Sequence, residues 1–437
     1  MSKKNSTLHY LQNAGHSELM EIQQQSVDAI KKFENVILYS KTGSGKTIAF
    51  LLSILAKFDQ DKEGVQALVL APTRELCLQI ETVFRSLKSG RKVTVCYGGH
   101  SVKVEENSLN EYPDVVIGTP GRIVDHIHRR NIDLRQCPMI VIDEFDKCLE
   151  FGFSEEMGFI SEGMRKLSHR MLVSATTMDE VPEFLQADYH TIDALKDQDD
   201  IAVTEHLVDS GKNILQSLAT LIESFENEKA IVFCNYREVS EDVSYRLKDL
   251  GVTSVFYHGG LEQDDRERAL IKFRNGSSNV LVCTDLGSRG LDIPEINHIV
   301  HYQYPNSEEA FTHRKGRTAR MSASGHSYLF YGEETQLPEY IKEPTSIIRT
   351  SDLKTDHVIP EWKTLYFSAG KKDKVNKIDF VGFLSKKGNL QKGEIGLITV
   401  KDRTSFVAVK SDLIQDVLKR IRNEKVKGKR LKMEIAR

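Results

Sequence analysis

Short apolar runs recur along the first three quarters of this chain, each bounded by polar turns. Those at 36–39, 67–70, 93–97, 114–117, 139–142 and 171–173 are separated by stretches in which apolar residues return every three or four positions. Runs this short and continuous predict strands buried on both faces, and the intervening period predicts amphipathic helices. Together they describe a parallel sheet covered by helices on both sides. The polar stretch 194–201 (ALKDQDDI) is expected to be a linker, and 346–360 a weakly patterned connection. Between them a second strand–helix series runs through 230–234, 254–257, 279–283, 298–302 and 327–331. Beyond residue 361 the rhythm changes. Segments 362–369, 395–400 and 405–409 alternate like half-exposed strands, 376–386 and 412–421 have the helical period, and 431–435 closes a βαββαβ order. The expected fold is α/β, with two doubly wound parallel-sheet domains at 1–193 and 202–345 and a small α+β domain at 361–437. No internal repeat or low-complexity tract interrupts it.

Candidate chemistry falls at the carboxyl ends of the predicted strands, where open α/β sheets bind ligands. Segment 36–52 (VILYSKTGSGKTIAFLL) reads as strand, glycine turn and helix start, and SKTGSGKT fits a phosphate-binding loop except at Ser40, where glycine or alanine is usual. Gly43 and Gly45 let the backbone curl so that the N–H groups of Thr42, Ser44 and their neighbours face one anion at a helix N-terminus. Lys46 can reach the outer phosphates, and the Thr47 hydroxyl can hold Mg²⁺. After a second apolar run, 140–146 (IVIDEFD) places Asp143 to hold Mg²⁺ through water and Glu144 to polarise an attacking water. A nucleoside triphosphate and Mg²⁺ are therefore the expected ligands.

Composition narrows the class. In 437 residues, 40% hydrophobic and 28% charged, no apolar run approaches the length of a membrane span, and the polar start is unlike a signal peptide. Six scattered cysteines without a CxxC pair predict buried free thiols and a cytoplasmic setting. The net charge of −3 is uneven, because residues 361–437 hold 20 Lys+Arg against 9 Asp+Glu. A basic piece on an acidic body suggests a polyanion partner, with a merely soluble basic surface as the plain alternative.

The segment 143–146 (DEFD) resembles the signature of the DEAD-box ATP-dependent RNA helicases, and the other motifs of that family follow in order. Segment 15–23 (GHSELMEIQ) is similar to the Q motif, with Gln23 as the adenine-reading residue, although His16, Leu19 and Glu21 replace its usual aromatic and prolines. Pro72, Thr73 and Arg74 (PTREL), Gly98 and Gly99, and Thr119 with Arg122 (TPGR) match RNA-contacting motifs. Ser174 and Thr176 (SAT) match the motif that couples hydrolysis to strand separation. In the second series, IVFCN at 231–235, Gln263, Arg266, Thr284 and the RGLD run with Gly290 and Asp292 correspond to further RNA and nucleotide motifs. HRKGRTAR at 313–320 brings His313 and two arginine fingers, Arg317 and Arg320. Phe145, Gln303 and Ala319 depart from the family pattern, and Phe145 puts coupling in question. The resemblance covers about 8–345 and implies two RecA-like domains that close on ATP and RNA.

The basic piece is similar to the C-terminal RNA-binding domain of DbpA-type helicases, an RRM-like fold that recognises large-subunit ribosomal RNA. Its aromatic sheet is thin, with Tyr366, Phe367 and Phe406 as candidates, so Lys371, Lys372, Lys374, Lys401, Arg403, Lys427, Lys429 and Arg430 are the expected RNA contacts. The resemblance implies an RNA-stimulated ATPase and helicase, a monomer acting on a ribosomal RNA hairpin or pre-ribosome. An ATP-gated RNA clamp that holds without unwinding is the second reading. A DNA translocase is disfavoured by Gln23 and the RRM-like end.

Overall fold

Side chains of the first apolar runs alternate between two helix-covered faces, so each run becomes a buried strand. In the computed structural model, β1 is Asn35–Tyr39, β2 Ala67–Leu70, β3 Val93–Cys96, β4 Val115–Gly118, β5 Met139–Ile142, β6 His169–Ser174 and β7 His190–Asp193. They form a parallel sheet in the order β3-β4-β2-β5-β6-β1-β7. Val36, Leu38, Val69 and Val141 pack against helices Glu21–Lys32, Lys46–Lys57 and Arg74–Ser86. Their neighbours Ile37, Leu68, Ile140 and Leu172 meet helices Pro120–His128 and Ser154–Gly163 on the other face. The structure describes residues 3–41, 43–99, 101–178, 181–195, 203–209, 211, 213–288, 296–318, 325–332, 336–341, 346–355 and 359–436. They fall into two compact units divided near residue 200. Of the expected linker, only Ala194 and Leu195 lie within the described residues.

The second unit holds a second seven-stranded parallel sheet. Its strands are β8 Val203–Asp209, β9 Ala230–Cys234, β10 Ser254–Tyr257, β11 Val280–Thr284, β12 His298–His301, β13 Gly325–Tyr331 and β14 Ser346–Arg349. The order is β10-β11-β9-β12-β13-β8-β14. Three strands of the two parallel sheets were not expected from the pattern. β7 and β14 are edge strands with exposed positions, and β8 carries polar residues among its apolar ones, so none has a continuous apolar run. The segment 346–360, expected to be only a connection, thus begins with a strand that pairs in parallel with β8.

Residues beyond 361 follow the expected βαββαβ order. β15 (Trp362–Phe367), β16 (Ile395–Val400), β17 (Ser405–Lys410) and β20 (Met433–Ile435) form an antiparallel sheet in the order β16-β17-β15-β20, and β18 (Lys425–Val426) with β19 (Lys429–Arg430) adds a hairpin. Leu365, Phe367, Val407 and Val409 pack with Phe380, Leu384, Val417 and Ile421 of the two helices. The opposite sheet face lies on helix Gln263–Arg274 of the same unit. There Phe406, Ala436 and half-buried Tyr366 cluster with Ile271. Thr364 Oγ1 accepts from Asn275 Nδ2 at 3.0 Å and lies 2.6 Å from Ser277 Oγ. Lys401 pairs with Glu267 and lies 3.8 Å from Asp264.

All six cysteines are buried and free. Among the described residues, no helix is long and apolar enough to cross a membrane.

Candidate functional site

The strand order of the first sheet sorts the candidate residues into two groups. Strands β5, β6 and β1 are neighbours, and their carboxyl ends carry Asp143–Glu144, Ser174 and the 40–47 loop. Gly43 and Gly45 both have φ of 85°, a left-handed conformation that strains any side-chain-bearing residue. Gly45 is also pressed from outside, since a Cβ there would sit 2.8 Å from Gln23 Nε2. Gln23 is buried, and its Oε1 accepts the Met20 N–H at 3.0 Å, which fixes the amide beside the loop. Ser40 Oγ donates to Ser44 Oγ at 2.5 Å. The substitution of Ser40 for the usual small residue thus adds a brace across the turn.

Lys46 opens the helix Lys46–Lys57 and is 8% exposed, and its Nζ has no hydrogen-bond partner among the described residues. A buried ammonium without a partner suits an anion brought by a ligand. Asp143 is 3% exposed, and burial raises its carboxyl to about 7 against the pull of Lys46. Such a hard oxygen donor, costly to ionise alone, fits a divalent cation shared with the Thr47 hydroxyl. Glu144 adopts a left-handed φ of 46° at the start of helix Phe145–Glu150, and its N–H donates to Asp143 Oδ1 at 3.0 Å. Ser174 Oγ donates to Thr176 O at 2.7 Å, and Thr176 Oγ1 donates to Asp146 Oδ2 at 3.2 Å. The SAT and DEFD segments are therefore bonded directly. Phe145 is fully buried in the core beside them, a packing residue rather than a site residue.

Strands β3, β4 and β2 form the other group, and their carboxyl ends carry Gly98–Gly99, Thr119–Arg122 and Pro72–Arg74. Thr73 caps its helix, accepting the Leu76 N–H at 3.3 Å, and the Arg74 guanidinium lies 4.5 Å over the Tyr97 ring. Thr119 stands at the N-cap of Pro120–His128, but its side chain makes no cap bond. Arg122 is held by Glu105 at 2.7 Å and Asp125 at 3.3 Å. Glu105, His126 and Tyr97 belong to none of the quoted motifs, and no local signal marked them.

In the second sheet, Gln263 Nε2 donates to Glu267 at 3.1 Å, and Arg266 donates to the Tyr257 hydroxyl at 3.2 Å. The Thr284 hydroxyl accepts the Gly287 N–H at 3.3 Å. His313 Nδ1 lies 3.9 Å from Glu309, and Arg317 is 9% exposed. The residue that ties these motifs together is Arg314, which sequence reasoning missed. It is 1% exposed, donates twice to Asp285 at 2.6 Å, and also donates to Asn235 Oδ1 and the Gln303 carbonyl at 2.8 Å. Nothing local distinguishes Arg314 from Arg317 in HRKGRTAR. Thr42, Gly290, Asp292, Ala319 and Arg320 lie outside the described residues.

In the basic piece the expected cations gather around one loop. Lys427 Nζ donates to the Lys374 carbonyl at 2.8 Å, and Lys429 pairs with Asp373 at 3.0 Å. Lys372 pairs with Asp402 at 3.1 Å, while Lys371, Arg403 and Arg430 are exposed close by in sequence. The aromatic candidates fare differently. Phe367 is in the core, Phe406 is 4% exposed and Tyr366 is half-buried against it, so the aromatic face is covered. Lys401, expected on RNA, is engaged by Glu267. Sheet alternation alone did not show that a helix would cover the second face.

Residues 20–184 match the family model described as DEAD/DEAH box helicase, 213–322 the helicase conserved C-terminal domain, and 364–435 the DbpA RNA binding domain. The chain is 30% identical to the ATP-dependent RNA helicase DbpA of Bacillus subtilis (strain 168), covering 98% of this chain and 97% of that one. It is 31% identical to the protein of the same name from Escherichia coli (strain K12), covering 97% and 96%. Among solved structures, the DEAD-box helicase Mss116 bound to ssRNA and UDP-BeF is similar with a TM-score of 0.67 and 29% identity, over 74% of this chain and 72% of that one. Dbp5 of S. cerevisiae bound to RNA and ADP BeF3 has a TM-score of 0.70 at 24% identity, over 79% and 94%, and shows likeness of fold.

Proposed function

The chain belongs to the DEAD-box ATP-dependent RNA helicases of the DbpA type, and from that premise we propose that it remodels a ribosomal RNA hairpin during assembly of the large ribosomal subunit. It is an RNA-stimulated ATPase. The observation that carries the fuller reading is the sorting of the first sheet's carboxyl edge into a phosphate side, β5-β6-β1, and a glycine- and arginine-bearing side, β3-β4-β2.

On the phosphate side, Gln23 reads adenine, and the N–H groups of Thr42, Gly43, Ser44 and Gly45 cradle the phosphates with Lys46. Thr47 and Asp143 would hold Mg²⁺, which when bound neutralises charge on the outer phosphate oxygens. Glu144 orients and deprotonates the attacking water. Arg317 and Arg320 supply transition-state charge from the domain at 202–345, with His313, Gly290 and Asp292 in support. Pro72, Thr73, Arg74, Gly99, Thr119, Arg122, Gln263, Arg266 and Thr284 grip the RNA backbone, which carries no sequence information of its own. Ser174 and Thr176 couple the two chemistries through Asp146.

Selection then falls to the domain at 361–437, through Lys371, Lys372, Lys374, Arg403, Lys427, Lys429 and Arg430. Its covered aromatic face favours loop contacts over base stacking on the sheet. The protein acts as a cytoplasmic monomer. The burial of Phe145 makes DEFD a packing change and favours turnover over a passive clamp. Truncation after Pro360 tests the assignment. The shortened protein should keep basal ATPase chemistry but lose preferential stimulation by ribosomal RNA over unrelated RNA. Continued discrimination would overturn the ribosomal assignment.

A further inference from the structure

Glu105 lies on helix Val102–Leu109, just after the Gly98–Gly99 turn, and is 2% exposed. A carboxylate buried this deeply requires donors for its lone pairs. Its Oε1 accepts the Tyr97 backbone N–H at 3.0 Å, at the entrance to the turn. Its Oε2 accepts Arg122 Nε at 2.7 Å and lies 2.7 Å from His126 Nε2. The His126 ring is fully buried, with Nδ1 3.1 Å from Asn131 Nδ2. An amide NH₂ only donates, so Nδ1 is the acceptor and the Nε2–H points at Glu105. Burial raises the Glu105 carboxyl, but hydrogen bonds from His126, the Tyr97 N–H and Arg122 outweigh it and hold the group below the ordinary range. Cys96 also comes within 4.8 Å of Glu105 and His126, yet burial keeps its thiol far above its ordinary range. With Arg122 already balancing the carboxylate, the cluster is a hydrogen-bonded knot rather than a metal centre.

We propose that Glu105, oriented by His126, is a positioning residue that ties the Gly98–Gly99 turn to Arg122 and so holds two RNA-contacting segments from different strands at one spacing. The inference rests on the reading of Arg122 as an RNA contact. The turn follows β3 and Arg122 follows β4; the backbone ladder joins the two strands as far as Cys96 and Gly118, with the Thr119 N–H donating to the Cys96 carbonyl at 3.1 Å, and stops short of the turn and of the Arg122 side chain. One carboxylate bonds the Tyr97 N–H at the turn's entrance and the Nε edge of Arg122, and with Asp125, 3.3 Å from Nη1, it fixes the plane of the guanidinium.

The test uses the full chain and an unstructured RNA oligonucleotide in an RNA-stimulated ATPase assay. Glu105→Gln should raise the RNA concentration for half-maximal stimulation about tenfold, as expected for coupled neighbours, with a much smaller fall in turnover at saturating RNA. Arg122→Ala should raise it similarly, and the double variant should be no worse than Arg122→Ala alone. Should Glu105→Gln fail to fold, His126→Phe removes the donor while keeping the ring and should shift RNA half-saturation in the same direction. Half-saturation within twofold of wild type in Glu105→Gln, or additive losses in the double variant, would overturn the positioning role. If Arg122→Ala itself leaves RNA half-saturation unchanged, the RNA-contact reading beneath the proposal fails instead.

Discussion

Lys46 is a buried ammonium whose Nζ lacks a partner among the described residues, a cost that a bound triphosphate would relieve. Lys46→Ala should therefore abolish nucleotide-dependent turnover in a steady-state ATPase assay. Glu144→Gln keeps the shape but removes the proposed base, so hydrolysis should fall by about 10²–10⁴ while ATP and RNA remain bound together. Wild-type hydrolysis in that variant would refute the assignment. Phe145 invites a third substitution, because Phe145→Ala restores the common family sequence. The ring is fully buried among Ile142, Cys148 and Leu172. Its loss should cost about 3–5 kcal/mol in chemical denaturation rather than improve the protein. A neutral Phe145→Ala would mean that the core closes over the gap.

At the scale of elements, two features of the second unit make their own predictions. Where β12, β13 and β8 lie side by side, His298 stacks on Phe225 at 3.8 Å, with Tyr328 and Glu228 on its two nitrogens and His206 and His326 nearby. Burial, opposed by Glu228 and aided by the neighbouring histidines, pushes the His298 imidazole down to about 4. Its unfolded value is about 6.5, so the unfolded chain binds the proton more readily. This contribution to stability is complete above pH 6.5 and drains as pH falls from there towards 4. Denaturation midpoints should drop between pH 7.5 and pH 5, and His298→Gln should flatten that dependence. An equal drop in both proteins would place the titration elsewhere. The second feature is the seam beneath β15. Thr364→Val leaves buried Asn275 and Ser277 without their partner, which should cost about 1–3 kcal/mol in the same experiment.

For the whole molecule, charge and domain origin decide what to expect. The 20 Lys+Arg against 9 Asp+Glu of residues 361–437 should make RNA binding steeply salt-dependent, because each neutralised phosphate releases counterions. On the proposed reading, Arg320 belongs to a different domain from Lys46 and its charge serves turnover rather than first binding. Arg320→Ala should leave the ATP affinity of the free protein nearly unchanged, while RNA-stimulated hydrolysis collapses by about 10³–10⁵. Equal loss of both would make it an ordinary ground-state ligand.

Much of this was legible in the chain because it depends on local geometry. The left-handed turns at Gly43 and Gly45, the apolar run before Asp143 and the alternation of 405–409 are properties of a few adjacent residues. By itself the sequence determined two strand–helix series, a small basic α+β piece after them, and a glycine turn and an acidic pair at the ends of two strands. Contacts between distant segments were settled only by tertiary structure, since periodicity says which face is apolar but not what will cover it. Strand order placed Asp143 and Ser174 beside the phosphate loop and set Arg122 apart from it. The helix Gln263–Arg274 covered Phe406, and Arg314 joined Asn235 to Asp285 across the second sheet. Glu105 shows the same limit. A buried carboxylate reads as one more charged residue until the fold encloses it and brings Tyr97, Arg122 and His126 to its two oxygens.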